Sequence, residues 1–362
     1  MKPSTTAKLE ARLRQLITRW LPPHTVVQLY SKGRVNFLKR LVGERQEEPY
    51  VPPRNLERKL WGIPFRAPIM NAAGMFKNGE GYDFVASIGA GGYIGGTTTS
   101  NPRPGNEKNG IRTPFTPLPR SHAALNWLGL PNEGHETVSQ RYKGINRVWG
   151  CPIVHSVMKS PDLNGTEALE ALVKGMQLYR QMGVDVIELN ESCPNTHKQD
   201  NDTQQRLQYI MENFKEGRKV PLVVKFSNDT PISQVPQIMD MLFELGFDGI
   251  NFGNTSTKYA TLRDSVDPHE RALFDFFTGT FGGGFSGQPL KQRSLLLCYA
   301  AIQYIKQGRP SQEFHVWRTG GIETAKDIKE SDEIGVSMNQ WFTGFFEMFA
   351  KHGLDVYREL LK

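Results

Sequence analysis

Eight short apolar runs, separated by longer amphipathic segments, constrain this 362-residue chain more than any other feature. They are APIMNAA (67–73), GGYIGGTTT (91–99), PIVHSV (152–157), VDVIELN (184–190), LVVKF (222–226), DGINFGN (248–254), FHVWRTG (314–320) and VSMNQWF (336–342). Near-continuous runs of this length, rich in β-branched residues, are the pattern of strands buried on both faces, as in parallel sheets. Helical periodicity fills most of the gaps, as in EALEALVKGMQLYRQMG, ISQVPQIMDMLFELG, QRSLLLCYAAIQYIKQG and FEMFAKHGLDVYRELLK. Alternating β and α with a count of eight favours an α/β fold closed into a (β/α)8 TIM barrel over a doubly wound sheet. The gap from Thr99 to Cys151 is too long for a simple loop and predicts a small insertion.

A different pattern precedes the first run. Leu9, Leu13, Leu16, Ile17, Trp20 and Leu21 share one face of a predicted helix, with Arg12, Arg14 and Arg19 largely off it. Pro22 and Pro23 end that helix, and a second amphipathic stretch from about Val26 to Val42 carries Val26, Val27, Tyr30, Phe37, Leu38 and Leu41. The segment QEEPYVPPRN then reads as a linker. The predicted organisation is an N-terminal helical extension with linker over 1–48 and a barrel over 49–362. Much of the net charge of +7 lies in that extension, and charge speaks to partners rather than fold. Two readings of the basic pair stay open: a cap on the barrel's open end, and a peripheral anchor to anionic lipid. No apolar run is long enough for a spanning helix, the start lacks a secretory core, and three scattered cysteines suggest neither disulfides nor a zinc site. The expected location is therefore cytoplasmic, with a peripheral position on the inner face of the membrane if the anchor reading holds.

Polar and glycine-rich residues collect just after the strands, at the rim where barrel enzymes place their active sites. Lys77 follows the first strand in NAAGMFKNGE and Thr97 ends the second in GTTTSNPRPGN. ELNESCPNT after the fourth supplies Asn190, Cys193 and Asn195. Lys225 ends the fifth, Asn254 and Thr255 end the sixth, and LNWLGLPN adds Asn126 with Leu128, Gly129 and Leu130. Four asparagines, two lysines and one cysteine thus converge on one mouth, and neutral amides suit a planar ligand rich in hydrogen-bonding groups. Glycine-bearing turns late in the barrel (GGGFSGQPL, RTGGIET and FTGFF) are candidates for a phosphate site, where loops and a helix N-terminus meet. His155 and His197 lie near the mouth without metal-site spacing, and Cys151 and Cys298 read as inert core residues.

In collinear order these motifs, from about Ile63 to Gly344, resemble the motif series of the dihydroorotate dehydrogenases. The resemblance implies oxidation of dihydroorotate to orotate in pyrimidine synthesis, with FMN as first electron acceptor. It implies that Lys77, Asn126, Leu128, Gly129, Leu130, Asn190, Asn195, Asn254 and Thr255 hold the substrate, and that Cys193 takes the proton from substrate C5, with Lys77 close by. A thiolate can serve as that base where a cation or dipole lowers its pKa. The cofactor residues so implied are Ala73, Gly74, Thr97, Asn190, Lys225, Asn254, Ser286, Gly287, Thr319, Gly320, Gly321, Phe342, Thr343 and Gly344, and no metal is expected.

The resemblance is mixed. Cys193 and NWLGLPN resemble the soluble class of the family. FKNGE and the basic two-helix extension resemble the membrane-associated class, which uses quinone. A quinone and an anionic membrane surface are accordingly possible partners, and nucleic acid is not. Two other functions remain open: an FMN enzyme acting on a related dihydropyrimidine, given departures such as Trp127, Glu191 and Arg318-Thr319, and a non-catalytic barrel that binds lipid or nucleic acid through its basic N-terminus.

Overall fold

The computed structural model describes residues 1–191, 203–214, 220–308 and 312–362. Each of the eight apolar runs forms one parallel strand: β1 (Ile69–Asn71), β2 (Tyr93–Thr98), β3 (Ile153–Val157), β4 (Val186–Asn190), β5 (Leu222–Phe226), β6 (Gly249–Phe252), β7 (His315–Thr319) and β8 (Met338–Trp341). Their order in the sheet is β1-β8-β7-β6-β5-β4-β3-β2. The seam between β1 and β2 is bridged partly by a side chain. Gly91 N donates to Ile69 O at 2.9 Å, and the Asn71 amide takes the place of a peptide, donating to Ile94 O at 2.7 Å and accepting from Ile94 N at 3.2 Å. The barrel is an α/β TIM barrel, with helices such as Gly165–Gln181, Val235–Leu245, Lys291–Gln307 and Ala325–Ile334 following its strands.

The strand period of two sorts the barrel interior by height. Met70, Ile94, Val154, Val186, Val223, Trp317 and Met338 form an apolar layer, sealed from below by Leu60 and Phe65 of the hairpin Arg58–Leu60/Ile63–Phe65. Two residues further along, the inward positions turn polar: Ser156, Glu188, Lys225, Asn251, Thr319 and Gln340. The floor of the mouth is therefore hydrogen-bonding rather than greasy. The expected insertion is present as strands Phe115–Leu118 and Ala123–Asn126, joined antiparallel by Gly284–Gly287 from the far side of the barrel. GGGFSGQPL is thus partly strand, a pairing with no local signal in the sequence.

Helices α1 (Pro3–Trp20) and α2 (Pro23–Leu41) lie against this assembly. α2 buries Val26, Val27 and Leu41 completely, each stabilising by about 1.5–3 kcal/mol, and packs on Phe115–Leu118 and the helix Arg271–Thr280. α1 packs on the helix Thr343–His352, with a face other than the one that carries most of its leucines. Its buried residues are Pro3, Ala7, Arg14 and Thr18, whereas Leu9, Leu13, Leu16 and Trp20 are 48, 45, 55 and 71% exposed. Arg14, which periodicity sets largely off the apolar face, is held between Glu10 at 2.6 Å and Glu347.

Candidate active site

An open cavity occupies the C-terminal mouth of the barrel. The ends of the barrel strands supply Ala72, Ala73, Thr97, Asn190, Lys225, Thr319, Gln340 and Trp341, and the insertion supplies Phe115, Asn126, Leu128 and Leu130. Most of the residues expected at the site meet here, including Gly74, Lys77, Asn254, Thr255, Ser286, Gly287, Gly320, Gly321, Phe342, Thr343 and Gly344. Gly129 is not in the wall. It turns the loop between two lining leucines at φ +72°, where a methyl group would collide with Asn106. Cys193 and Asn195 lie outside the described residues.

The amides are ordered by one another. Asn254 Nδ2 donates to Asn190 Oδ1 at 3.2 Å, Asn190 Nδ2 to Thr97 Oγ1 at 3.2 Å, and Thr97 Oγ1 meets Ser156 Oγ at 2.9 Å. Asn254 Oδ1 in turn accepts from Thr255 N at 2.9 Å, while Asn228 Nδ2 donates to Asn254 O. This chain fixes which end of each amide is donor and which acceptor, so the wall presents a set pattern of polar groups. Among the described residues Thr255 Oγ1 is buried without a hydrogen-bond partner, and such groups are rare unless a ligand satisfies them. Asn126 Nδ2 reaches Gly284 O at 3.3 Å, tying the insertion to the strand Gly284–Gly287.

The three glycine turns come together on one side of the cavity. Thr343 and Gly344 begin the helix Thr343–His352, so first-turn N–H groups that lack intrahelical acceptors sit at the wall. A methyl on Gly344 would overlap Ile322 O, one on Gly321 the Lys291 backbone, and one on Gly287 the backbone of His122. Ser286 Oγ and Thr343 Oγ1 meet at 3.0 Å beside them. Bare backbone plus a helix N-terminus is the construction that receives phosphate.

Sequence reasoning missed Ala72, Phe115, Gln288, Leu290, Ile322, Glu323, Gln340 and Trp341. Gln340 was findable: it interrupts an apolar run at the inward parity of its strand, as does Glu188 beneath it. Glu323 had no such signal. It accepts from His122 Nδ1 at 3.0 and 3.1 Å, and this hydrogen bond raises the imidazole above its ordinary pKa. Elsewhere, burial pushes the Cys151 thiol up to about 11 and that of Cys298 up to about 12, so both stay protonated at neutral pH.

Comparison with known proteins agrees with this geometry. The family model for dihydroorotate dehydrogenase matches residues 55–361. A dihydroorotate dehydrogenase (quinone) of Synechococcus sp. is 31% identical over 300 residues, covering 82% of this chain and 75% of that protein. One of Mycolicibacterium smegmatis is 31% identical over 309 residues, covering 83% and 81%. One of Kocuria rhizophila is 27% identical over 342 residues, covering 90% of each. Two solved structures of DHODH from Eimeria tenella share the fold at 22% identity. The ligand-free form has a TM-score of 0.74 over 92% of each chain, and the complex with ferulenol one of 0.71 over 94% of this chain and 88% of that one. With a family model spanning nearly the whole barrel and relatives above 30% identity over four fifths of its length, this chain belongs to the dihydroorotate dehydrogenase family.

Proposed function

We propose that this protein oxidises dihydroorotate to orotate in pyrimidine biosynthesis, with FMN as the first electron acceptor and a quinone as the second. The observation that carries the reading is the meeting, in one cavity, of the Asn126, Asn190, Asn254 and Thr255 polar wall with Lys77, Lys225 and a glycine cradle. The relatives named as quinone enzymes support the second acceptor.

The residues present fit FMN, as expected of a flavin-dependent family. Gly287, Gly320, Gly321, Thr343 and Gly344 would hold the phosphate, since they bring bare backbone and a helix N-terminus to the cavity wall and the glycines among them pack too closely on neighbouring residues to carry a side chain. Ala73, Gly74 and Thr97 offer a small-residue wall for a flat ring, and Lys225 a cation for its pyrimidine edge. When bound, FMN supplies a hydride acceptor at its N5 for the hydrogen on substrate C6.

The protein's own share is orientation and proton transfer. Asn126, Asn190, Asn254 and Thr255, with Asn195, would pair with the substrate's amide edge and carboxylate, and an analogue lacking those groups would leave buried polar atoms unpaired. Cys193, in its thiolate form, would take the C5 proton as the C5–C6 double bond forms. Lys77 would lie near both partners.

The N-terminal pair supports peripheral attachment at an anionic membrane surface on the cytoplasmic side. What supports this is an exposed row of Leu9, Leu13, Leu16 and Trp20, flanked by exposed Lys8, Arg12 and Arg19, as in interfacial helices. Among the described residues, no helix is long and apolar enough to cross a membrane.

The test is to add dihydroorotate anaerobically to purified protein and follow the visible flavin band. Rapid bleaching is expected. A yellow protein that stays oxidised would transfer the reading to another dihydropyrimidine, and a colourless one that takes up no added FMN would exclude a flavin enzyme.

A further inference from the structure

Beneath the mouth lies a carboxylate that no step of the proposed reaction uses. Glu188 is fully buried on β4, two residues before Asn190 and of the same inward parity. Its Oε2 accepts from Asn251 Nδ2 and from Gln340 Nε2, both at 2.8 Å. Its Oε1 accepts no hydrogen bond and lies 3.6 Å from Lys225 Nζ. Gln340 touches both charges, because its Oε1 accepts from Lys225 Nζ at 3.2 Å. Thr319 Oγ1 lies 3.1 Å from Gln340 Oε1 and 2.9 Å from Asn251 Oδ1 and can donate its one hydrogen to either, on the side of each amide away from Glu188.

A role in packing does not account for this arrangement. Removing a carboxylate from water costs several kcal/mol, and an apolar residue at such a position is often as stable or more so. What the carboxylate adds is a counter-charge for Lys225, which is 3% exposed and lines the cavity above it. A cation there favours a reduced, more negative ring, and the strength of that preference depends on how much of its charge is already balanced from below.

We infer that Glu188 is a positioning residue that holds the Lys225 ammonium at the cavity floor and partly balances its charge, thereby setting the relative affinity for oxidised and reduced FMN. The inference rests on the flavin reading above. It predicts that Glu188→Gln, which keeps the shape but removes the charge, favours the reduced cofactor by about tenfold, an upward shift of about 30 mV for a two-electron couple.

The experiment is a midpoint-potential measurement on FMN-loaded protein by equilibration with redox dyes, without substrate. In a Lys225→Met background the shift caused by Glu188→Gln is expected to vanish, since Glu188 acts on the cofactor through the Lys225 ammonium beside it. Glu188→Asp draws the carboxylate back from Lys225 and is expected to give a smaller upward shift. It carries the test if Glu188→Gln does not fold. An unmoved potential in either folded variant, or an equal shift with and without Lys225, overturns the inference while leaving the enzyme reading intact. A wild-type protein that binds no FMN overturns both.

Discussion

At Gly344 the first turn of the helix Thr343–His352 runs so close to Ile322 O that a single methyl group has no room. Unlike Gly321, at φ +74°, Gly344 is not in the left-handed region, so replacing it tests proximity rather than backbone strain. Gly344→Ala is expected to weaken FMN binding at least about tenfold, or about 1.4 kcal/mol, in a fluorescence titration of the cofactor-free protein. An unchanged affinity would move the phosphate away from this helix. Residues of this kind were legible because they stand at or just beyond the ends of strands, at the rim where barrel enzymes place their sites. Asn190, Asn254 and Lys225 were found in that way. Glu188 and Gln340 were passed over because a polar residue inside an apolar run reads as part of the strand until its parity is compared with Asn190. Phe115, Glu323 and Leu290 reach the cavity through tertiary packing, which periodicity does not encode.

For elements, the strands were readable to within a residue or two because a strand buried on both faces needs apolar side chains at every position. The helix α1 was readable as a helix, but which of its faces meets the barrel was not. Six apolar residues share one face, yet the barrel is met by Ala7, Arg14 and Thr18. Burial of Arg14 depends on Glu10 and Glu347, and desolvation raises Glu347 above the ordinary carboxylate range. Arg14→Met would leave two partly buried acids facing each other, and a loss of about 3–5 kcal/mol in unfolding free energy is expected from denaturant melts. The exposed leucines should behave oppositely. Leu13→Glu with Leu16→Glu is expected to change stability by less than about 0.5 kcal/mol, because both sites are about half exposed. The same pair is expected to abolish co-sedimentation with anionic vesicles. Vesicle binding that survives the double change would show that the outer face of α1 is not the anchor.

At the scale of the whole molecule, a cluster packed behind the barrel wall is expected to make stability sensitive to acid. Thr98 Oγ1, one residue beyond the cavity-lining Thr97, meets His135 Nδ1 at 3.0 Å, His155 Nε2 at 2.8 Å and Tyr179 OH at 2.8 Å. The His155 ring stacks on Tyr179 with centroids 3.8 Å apart, and its Nδ1 meets Tyr142 OH at 2.5 Å. Burial lowers both imidazoles, His135 to about 3 and His155 well below the ordinary value. Since the unfolded chain takes up these protons near pH 6.5 and the folded one does not, stability falls as pH drops below about 6.5, and the loss continues until His135 protonates near pH 3. His122 works in the other direction: raised by its bond to Glu323, it lends stability below the unfolded value that is lost as pH rises through its folded one. The two buried imidazoles are expected to outweigh His122, whose half-exposed ring is partly screened by solvent, while burial lowers His315 in the same direction as the buried pair. Urea unfolding at pH 7 and pH 5 is expected to differ by about 4 kcal/mol from these two groups together, at about 1.4 kcal/mol per pH unit each. His135→Asn keeps a polar partner for Thr98 without a titrating ring, so it should reduce the slope by about one proton. An unchanged slope in that variant would place the acid sensitivity in the carboxylates of the surface instead.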